Sequence, residues 1–288
     1  MASSNQSPYS GLGKSSSKAK SKRPDVLDFE QEVERHIFTL HRELRSRSYK
    51  HGPYFAFTIC DPKQRLIHKA TVRDRVVHHA VFAALNPLFE PSFFAHSYSC
   101  RKGKGTHRAM KTLHTWLRQV SGNGHKSCYV LQCDIHRFFE SIPHAVLLDI
   151  MARRVKDKDV LWLLEEIIRC FASNRLTPVG PAGVPIGNLT SQLFANVYLN
   201  ELDQFIKHEL KIPHYARYTD DFAIVAESSE KLEYLINPIR SFLQQKLFLD
   251  LHPRKVTIRT YAQGIDFLGY VLLPYHRVVR TRTRHRMT

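Results

Sequence analysis

Acidic residues are the scarce class in this chain: 26 Asp and Glu stand against 43 Lys and Arg, a formal net charge of +17. So basic a surface favours polyanions, either nucleic acid or anionic membrane. No apolar run approaches the roughly 18 residues that a transmembrane span needs. The N-terminus has no apolar signal core, so a cytoplasmic setting without membrane association is expected. The five cysteines (Cys60, Cys100, Cys128, Cys133, Cys170) include no C-x-x-C pair, which points to reduced thiols rather than a disulfide framework. Seventeen histidines form no H-E-x-x-H spacing, and no G-x-x-x-x-G-K-[ST] segment exists, which disfavours zinc chemistry and a P-loop ATPase. There is no internal repeat. Nucleic acid is left as the expected partner.

What is present suits a packed core: apolar types make up 43% and charged types 24% of 288 residues. Residues 1–23 combine serine with five bases and no acid, and read as a disordered basic arm. Residues 274–288 hold Arg277, Arg280, Arg282, Arg284 and Arg286, again without an acid. Between these ends, apolar spacing predicts a helix from Asp74 that stops at Asn86-Pro87. A second, long amphipathic helix is predicted over 187–210, and a third over 230–249 with a kink or early stop at Pro238. FAFTI (55–59) and YVLQC (129–133) read as strands, as do KVTIRTY (255–261) and FLGYVLL (267–273). HYARY (214–218) and FAIVA (222–226) flank a tight connection and predict a β-hairpin. Strands and helices without a regular βαβ rhythm indicate an α+β fold.

Three acids stand out through what precedes them. Asp134 follows the apolar strand YVLQC, while Asp220 and Asp221 occupy the hairpin tip. An acid at the end of a buried strand is held rigidly yet can face a cleft. Two neighbouring strands would bring these carboxylates together, at a cost unless cations lie between them. Oxygen-only ligands suit Mg²⁺. A pair of ions roughly 3.5–4 Å apart can activate a hydroxyl and stabilise a departing phosphate group. Taken alone, an Asp-Asp pair is in most proteins only a turn former.

The pair has company. RYTDDFAIVA (217–226) resembles the Y-x-D-D hairpin of reverse transcriptases, and LQCDIHRFFESIPH (131–144) resembles their first catalytic strand. GVPIGNLTSQLFANVYLNELD (183–203) is similar to the segment beneath the incoming nucleotide. The stretch from Val72 to Ala109 looks like the fingers of the group II intron-like branch. LQQKLFLDLHPRKVTI (243–258) and IDFLGYVLLPYHRVVR (265–280) resemble the two palm motifs that follow. Within this family, I-G-N-L-T-S-Q (186–192) is similar to the signature of diversity-generating retroelement enzymes, with Ile186 and Gln192 where most relatives carry Gln and Pro.

The resemblance implies a right-hand polymerase fold, with N-terminal fingers over 24–125 and a palm over 126–273. A further fingers segment is inserted around 150–185. Residues 274–288 would form a basic tail or vestigial thumb, because a three-helix thumb cannot be built from so few residues at about 1.5 Å rise each. It implies two Mg²⁺ ions, with Mn²⁺ as a substitute, on Asp134, Asp220, Asp221 and the Ile135 carbonyl. Lys63, Arg65, Phe139, Ile186, Gly187 and Lys255 would bind the dNTP, Phe139 as the ring that excludes a 2′-hydroxyl. A plain core role is expected for Phe138. Arg101, Lys102, Lys104, Gln192 and Tyr218 would contact template or primer. Implied partners are template RNA, the RNA–DNA duplex and a small basic helical accessory protein. Because Ile186 lacks the hydrogen-bonding groups of Gln, error-prone copying is expected, with template adenines as the weak point. Competing readings are a reverse transcriptase of an antiphage defence system with a noncoding RNA, and a non-catalytic RNA-binding scaffold.

Overall fold

The structure, a computed structural model, describes residues 23–60 and 64–284. The expected basic arm up to residue 22, Lys63 and the last four residues lie outside the described residues. Helices α1 (Pro24–Gln31) and α2 (Val33–Arg45) lead into an antiparallel ribbon of β1 (Phe55–Ile59) and β2 (Arg65–Lys69). Helix α3 (Val72–Phe89) follows, started by Thr71, whose Oγ1 accepts from the Asp74 N–H at 3.2 Å. It runs through Pro87 rather than stopping at Asn86-Pro87, because in the last turn proline removes only one hydrogen bond. Next come α4 (Thr106–Val120), β3 (Tyr129–Cys133), the single turn α5 (Phe138–Ser141), α6 (His144–Ala152) and α7 (Lys158–Arg169). A two-residue ribbon, β4 (Leu176–Thr177) with β5 (Gly180–Pro181), precedes α8 (Leu189–Gln204), whose end widens into a π turn over Phe205–Glu209.

The hairpin β6 (Tyr215–Tyr218) and β7 (Asp221–Ala226) is followed by α9 (Ser229–Lys246) and β8 (Thr257–Thr260). Helix α9 continues past Pro238 without the expected stop. Its buried Leu232, Ile239 and Leu243 lie in the core beneath the sheet, and that packing outweighs one lost hydrogen bond. FLGYVLL is not one strand. Leu268 (φ 51°) and Gly269 (φ 87°) fold it into a two-residue turn between β9 (Ile265–Phe267) and β10 (Tyr270–Leu272). Strand β11 (Arg277–Val279) pairs with β10, and the short α10 (Thr281–Arg284) follows.

At the centre is an antiparallel sheet in the order β6-β7-β3-β8. Strand alternation divides the interior into two cores, one on each face. Leu131, Cys133, Phe222 and Ile224 join residues of α6, α7, α8 and α9 on one side. Val130, Ala216, Ala223 and Val225 meet Ala109, Met110, Leu113 and Leu117 of α4, with Phe267 and Leu272, on the other.

Through this arrangement runs one buried ion pair. Arg217 (1% exposed) on β6 donates to both Asp203 oxygens, at 2.8 and 2.6 Å, and Asp203 is itself fully buried. Tyr215 donates to the same carboxylate at 2.7 Å. Arg217 also reaches the Thr219 carbonyl at 2.9 Å and Ser97 Oγ at 3.2 Å. Removing one member strands the other charge, so Asp203→Ala is expected to lower stability by about 3–5 kcal/mol. Urea unfolding checks this, and a loss below about 1 kcal/mol would show the pair to be dispensable.

Candidate active site

Strand register assembles the acidic cluster. Cys133 pairs with Phe222, so Asp134 follows β3 directly opposite Asp221 at the start of β7. By alternation both carboxylates fall on the face that carries Val130, Ala223 and Val225. Tyr218 pairs with Asp221, leaving Thr219 and Asp220 as the two-residue turn. Thr219 sits at φ 57°, a strained position for a β-branched residue. Its carbonyl accepts from Arg217, and its hydroxyl bonds Ser99 Oγ at 2.6 Å, so the buried ion pair holds this turn in place.

Three carboxylates so close together disturb one another. The Asp221 carboxyl is pushed up to about 7, first by removal from bulk water within the cleft, then by the charges of Asp220 and Asp134. The closeness of the Asp134 carboxylate adds to this rise. Part of the Asp221 residue nevertheless remains exposed. Asp220 is raised as well, chiefly by burial, while its own backbone N–H, Lys255 and Arg65 pull the other way. Lys255 Nζ lies 2.6 Å from Asp134 Oδ2, in an ion pair at the edge of the cluster. Beside Asp134, Ile135 bridges Leu251. The flanking bonds run from His136 N to Asp250 O and from His252 N to Asp134 O, so the Ile135 carbonyl turns away from Leu251.

Among the described residues, no group of three or more His, Cys, Asp or Glu side chains stands ready-formed around a metal ion. The donor chemistry still fits one. All donors are oxygens, the negative charge is only partly neutralised, and the ammonium of Lys255 is drawn onto Asp134. Such a set suits a hard divalent ion.

A cavity of about 870 Å³ opens over the cluster. Asp134, Ile135, Asp220, Asp221, Arg65, Phe139, Ile186, Gly187, Gln192, Tyr218 and Lys255 all line it. Phe139 is half-buried, whereas Phe138 is 2% exposed and belongs to the core. The glycine-interleaved loop is placed differently. Arg101 is 5% exposed and bonds Glu90 and the carbonyls of Phe94 (2.7 Å) and Ser97 (2.9 Å), so its guanidinium is engaged inside the protein. Lys104 Nζ caps the Ala95 carbonyl at 2.6 Å over the Tyr98 ring. Lys102 alone of the three is exposed, and none of them lines the cavity.

The cavity floor is tied to the β2 strand that carries Arg65, a link not foreseen from the motifs. His68 N donates to the Ile186 carbonyl at 2.9 Å, and Asn188 Nδ2 donates to the His68 carbonyl at 3.0 Å. Gly187 has φ +117°, and a Cβ there would lie 2.7 Å from Ile67 Cγ2. Behind it, Thr190 Oγ1 lies 2.7 Å from His78 Nδ1, and His78 Nε2 lies 3.1 Å from His51 Nε2. Histidines scattered along a sequence give no sign of such a chain.

A family model described as "Reverse transcriptase (RNA-dependent DNA polymerase)" matches residues 52–272, most of the chain. The chain belongs to the reverse transcriptase family. Similar curated relatives of this reverse transcriptase are protein YkfC of Escherichia coli and the group II intron-encoded protein LtrA of Lactococcus lactis. YkfC is 26% identical over 77% of this chain and 65% of its own length. LtrA is 24% identical over 72% of this chain and 44% of its own. The chain therefore spans less than two thirds of either relative. Among solved structures, telomerase from Candida albicans superposes with a TM-score of 0.59 at 11% identity, over 83% of this chain and 48% of that one. Apo telomerase from Candida tropicalis gives 0.56 at 12%, over 80% and 49%. The fold is that of a reverse transcriptase, and no helix among the described residues is long and apolar enough to cross a membrane.

A carboxyl whose pKa rises on folding favours the folded state while protonated, and that advantage is lost as pH climbs from about 4 through about 7. Metal-free protein should therefore melt at lower temperature at pH 8 than at pH 6. Asp221→Asn should flatten this trend and melt higher than wild type at pH 8. Parallel melting profiles for the two proteins would refute the assignment. Gly187→Ala should cost about 1–3 kcal/mol through its positive φ and the Ile67 clash, measured by chemical unfolding.

Proposed function

We propose that this reverse transcriptase is an active RNA-directed DNA polymerase that makes error-prone cDNA from a structured template RNA. The observation that supports this reading is the convergence of three carboxylates, Arg65, Phe139 and the Ile186–Gly187 floor on one cavity. Asp134, Asp220, Asp221 and the Ile135 carbonyl would hold two Mg²⁺ ions, or Mn²⁺, which supply charge to activate the primer 3′-hydroxyl and stabilise the pyrophosphate as it leaves. The 3′-oxygen would attack the α-phosphorus as the hydroxyl proton passes to water, and the bond to pyrophosphate would break.

The remaining roles belong to the chain itself. Arg65, exposed on β2, offers a guanidinium fork to the triphosphate. Lys255, whose Nζ lies 2.6 Å from Asp134 Oδ2, would give a proton to the departing pyrophosphate. Phe139 packs against the sugar and leaves no room for a 2′-hydroxyl. Tyr218 braces the primer end and Gln192 faces the template. In this reading residues 24–125 act as fingers and 126–273 as palm, with 150–185 as a further fingers segment. Arg101 and Lys104 shape their loop rather than grip phosphate.

The I-G-N-L-T-S-Q segment favours the diversity-generating type. Ile186 presents no donor or acceptor at a position where hydrogen bonding would discriminate between correct and mismatched pairs. The Candida albicans telomerase, solved with a fragment of telomeric RNA, is consistent with a template RNA here. A small basic helical accessory protein would help to grip the duplex.

Primer extension on an RNA template with dNTPs and Mg²⁺ tests the reaction, and Asp220→Ala should lower its rate on the order of 10³-fold. No difference between the two proteins would overturn polymerase activity. Ile186→Gln should reduce misincorporation opposite template adenine, read by sequencing the cDNA. An unchanged error spectrum would remove Ile186 as the cause.

A further inference from the structure

The histidine chain behind the cavity floor has a direction. His51 Nδ1 lies 2.6 Å from the Gly52 carbonyl oxygen, which can only accept, so this nitrogen carries a hydrogen. In a neutral imidazole the other nitrogen is then bare. His51 Nε2 faces His78 Nε2 at 3.1 Å, so the hydrogen between the rings belongs to His78. His78 Nδ1 is therefore an acceptor, and the Thr190 hydroxyl donates to it over 2.7 Å. Burial pushes the His78 imidazole down to about 4; His51 and His79 add to the fall and Asp74 opposes it. The ring is thus neutral near pH 7, and each nitrogen of the pair has one partner of the right kind.

The chain is closed to water and to competing acids. The His51 side chain is fully buried, and His78 and Thr190 are buried as well. Asp74, 3.9 Å from His51 Nδ1, has its own donors in Tyr49 OH (2.8 Å), Thr71 Oγ1 (2.6 Å), Gly52 N (3.1 Å) and Arg73 Nη1 (3.2 Å). Glu166 accepts from His51 N at 3.3 Å and from Lys50 Nζ at 2.8 Å. The Tyr54 ring lies against His51, and its OH is 3.4 Å from Cys170 Sγ. At the other end, Asn188 precedes α8 without capping it, because its amide is turned to the His68 carbonyl. Thr190 anchors that first turn instead. Around it stand Ile186, Gly187 and Gln192, which line the cavity, whereas Thr190, His78 and His51 do not.

We propose that His78 is a positioning residue: as the Nε2–H tautomer it joins Thr190 to His51 and so fixes the Ile186–Gly187 floor against the ribbon that carries Arg65. The ribbon is tied at both ends. His51 and Gly52 stand just before β1, and His68 on β2 donates to the Ile186 carbonyl. Floor, α8, α3 and ribbon therefore close into one ring of elements. A nucleotide between Arg65 and the floor meets two surfaces held at a set spacing. Breaking any link of the chain loosens that spacing without touching the carboxylates, so nucleotide binding weakens while the chemical step is spared. The role in nucleotide binding rests on the polymerase reading; the tautomers do not.

Single-nucleotide primer extension by the full chain, with Mg²⁺ at about pH 8 and the dNTP concentration varied, separates KM from kcat. Thr190→Val keeps the shape and removes the donor. It should raise the dNTP KM about five- to tenfold and change kcat less than about twofold. Thr190→Ser keeps the hydroxyl and should stay within about twofold of wild type in both. His51→Phe should act like Thr190→Val, although His78 stands between the two residues. Because both variants break one chain, combining them should raise KM no further than the larger single change, whereas independent sites would multiply. If His51→Phe fails to fold, the contrast of Thr190→Val with Thr190→Ser still decides. Nitrogen-15 spectra of histidine-labelled protein, with His78→Asn to mark the signals, should show the His78 hydrogen on Nε2. An unchanged KM in Thr190→Val, a loss in kcat alone, no rescue by serine, multiplied effects in the double variant or a His78 hydrogen on Nδ1 would each overturn the proposal. A wild type that extends no primer would refute the polymerase reading instead, and the histidine spectra would still decide the direction of the chain.

Discussion

The hydrogen-bond register between β3 and β7 forces two carboxylates to face each other across adjacent strands. Nothing in a sheet favours this pairing, since like charges opposite one another destabilise it. Here the pairing is imposed by the apolar residues behind it. Leu131, Cys133, Phe222 and Ile224 must lie on one face, so Asp134 and Asp221 must lie together on the other. A one-residue slip would separate the acids only by moving a whole strand's apolar set onto the opposite face, where a second core is packed against smaller residues. The core therefore holds the cluster against its own repulsion. The cost appears as a carboxyl that keeps its proton near neutrality and a lysine ammonium drawn onto Asp134. An arrangement costly in the absence of a divalent cation is primed to bind one.

The turn that adds Asp220 depends on a second buried charge. Thr219 adopts a backbone conformation that glycine would take more easily, and it is held there by Arg217 from the strand that leads into the turn. Asp203 on α8 neutralises that arginine. The same helix begins at Asn188, next to Ile186 and Gly187, so one rigid element positions both the cavity floor and the support of the acidic turn. Arg65 is coupled to this unit as well, because its strand is bonded to the floor through His68. Groups distant in sequence thus share one frame.

Much of this was legible in the sequence because short-range patterns encode it. The hairpin, the strand before Asp134 and the long helix after Gly187 all follow from alternation and helical spacing. The family itself follows from the order of the motifs. Errors arose where tertiary packing overrode a local signal. Pro87 and Pro238 look like helix ends, yet each removes one hydrogen bond while the helix face keeps its buried contacts. FLGYVLL looks like one strand because its apolar residues are continuous, and only the positive φ values at Leu268 and Gly269 reveal the turn. Arg101 resembled a phosphate ligand because its neighbours are Lys and Gly. No local pattern shows that Glu90 and two carbonyls enclose it.

The distribution of unpaired charge follows a rule of a different kind. Basic residues on α2, α3 and α7 and just past the end of α6 sit near acids, and their ion pairs lie mostly at the surface, where each contributes little to stability. On α4 and β11 the acids are missing altogether. Mutual repulsion among those cations slightly destabilises the folded chain, and an external polyanion would relieve it. The cavity shows the inverse case, with clustered acids that call for cations. Both sites stay under electrostatic tension in the free protein, and they lie next to each other through the contact of Thr106 with Tyr218. Nucleic acid with bound divalent ions carries both complementary charges, so a single ligand bridging the two sites would relieve both tensions at once.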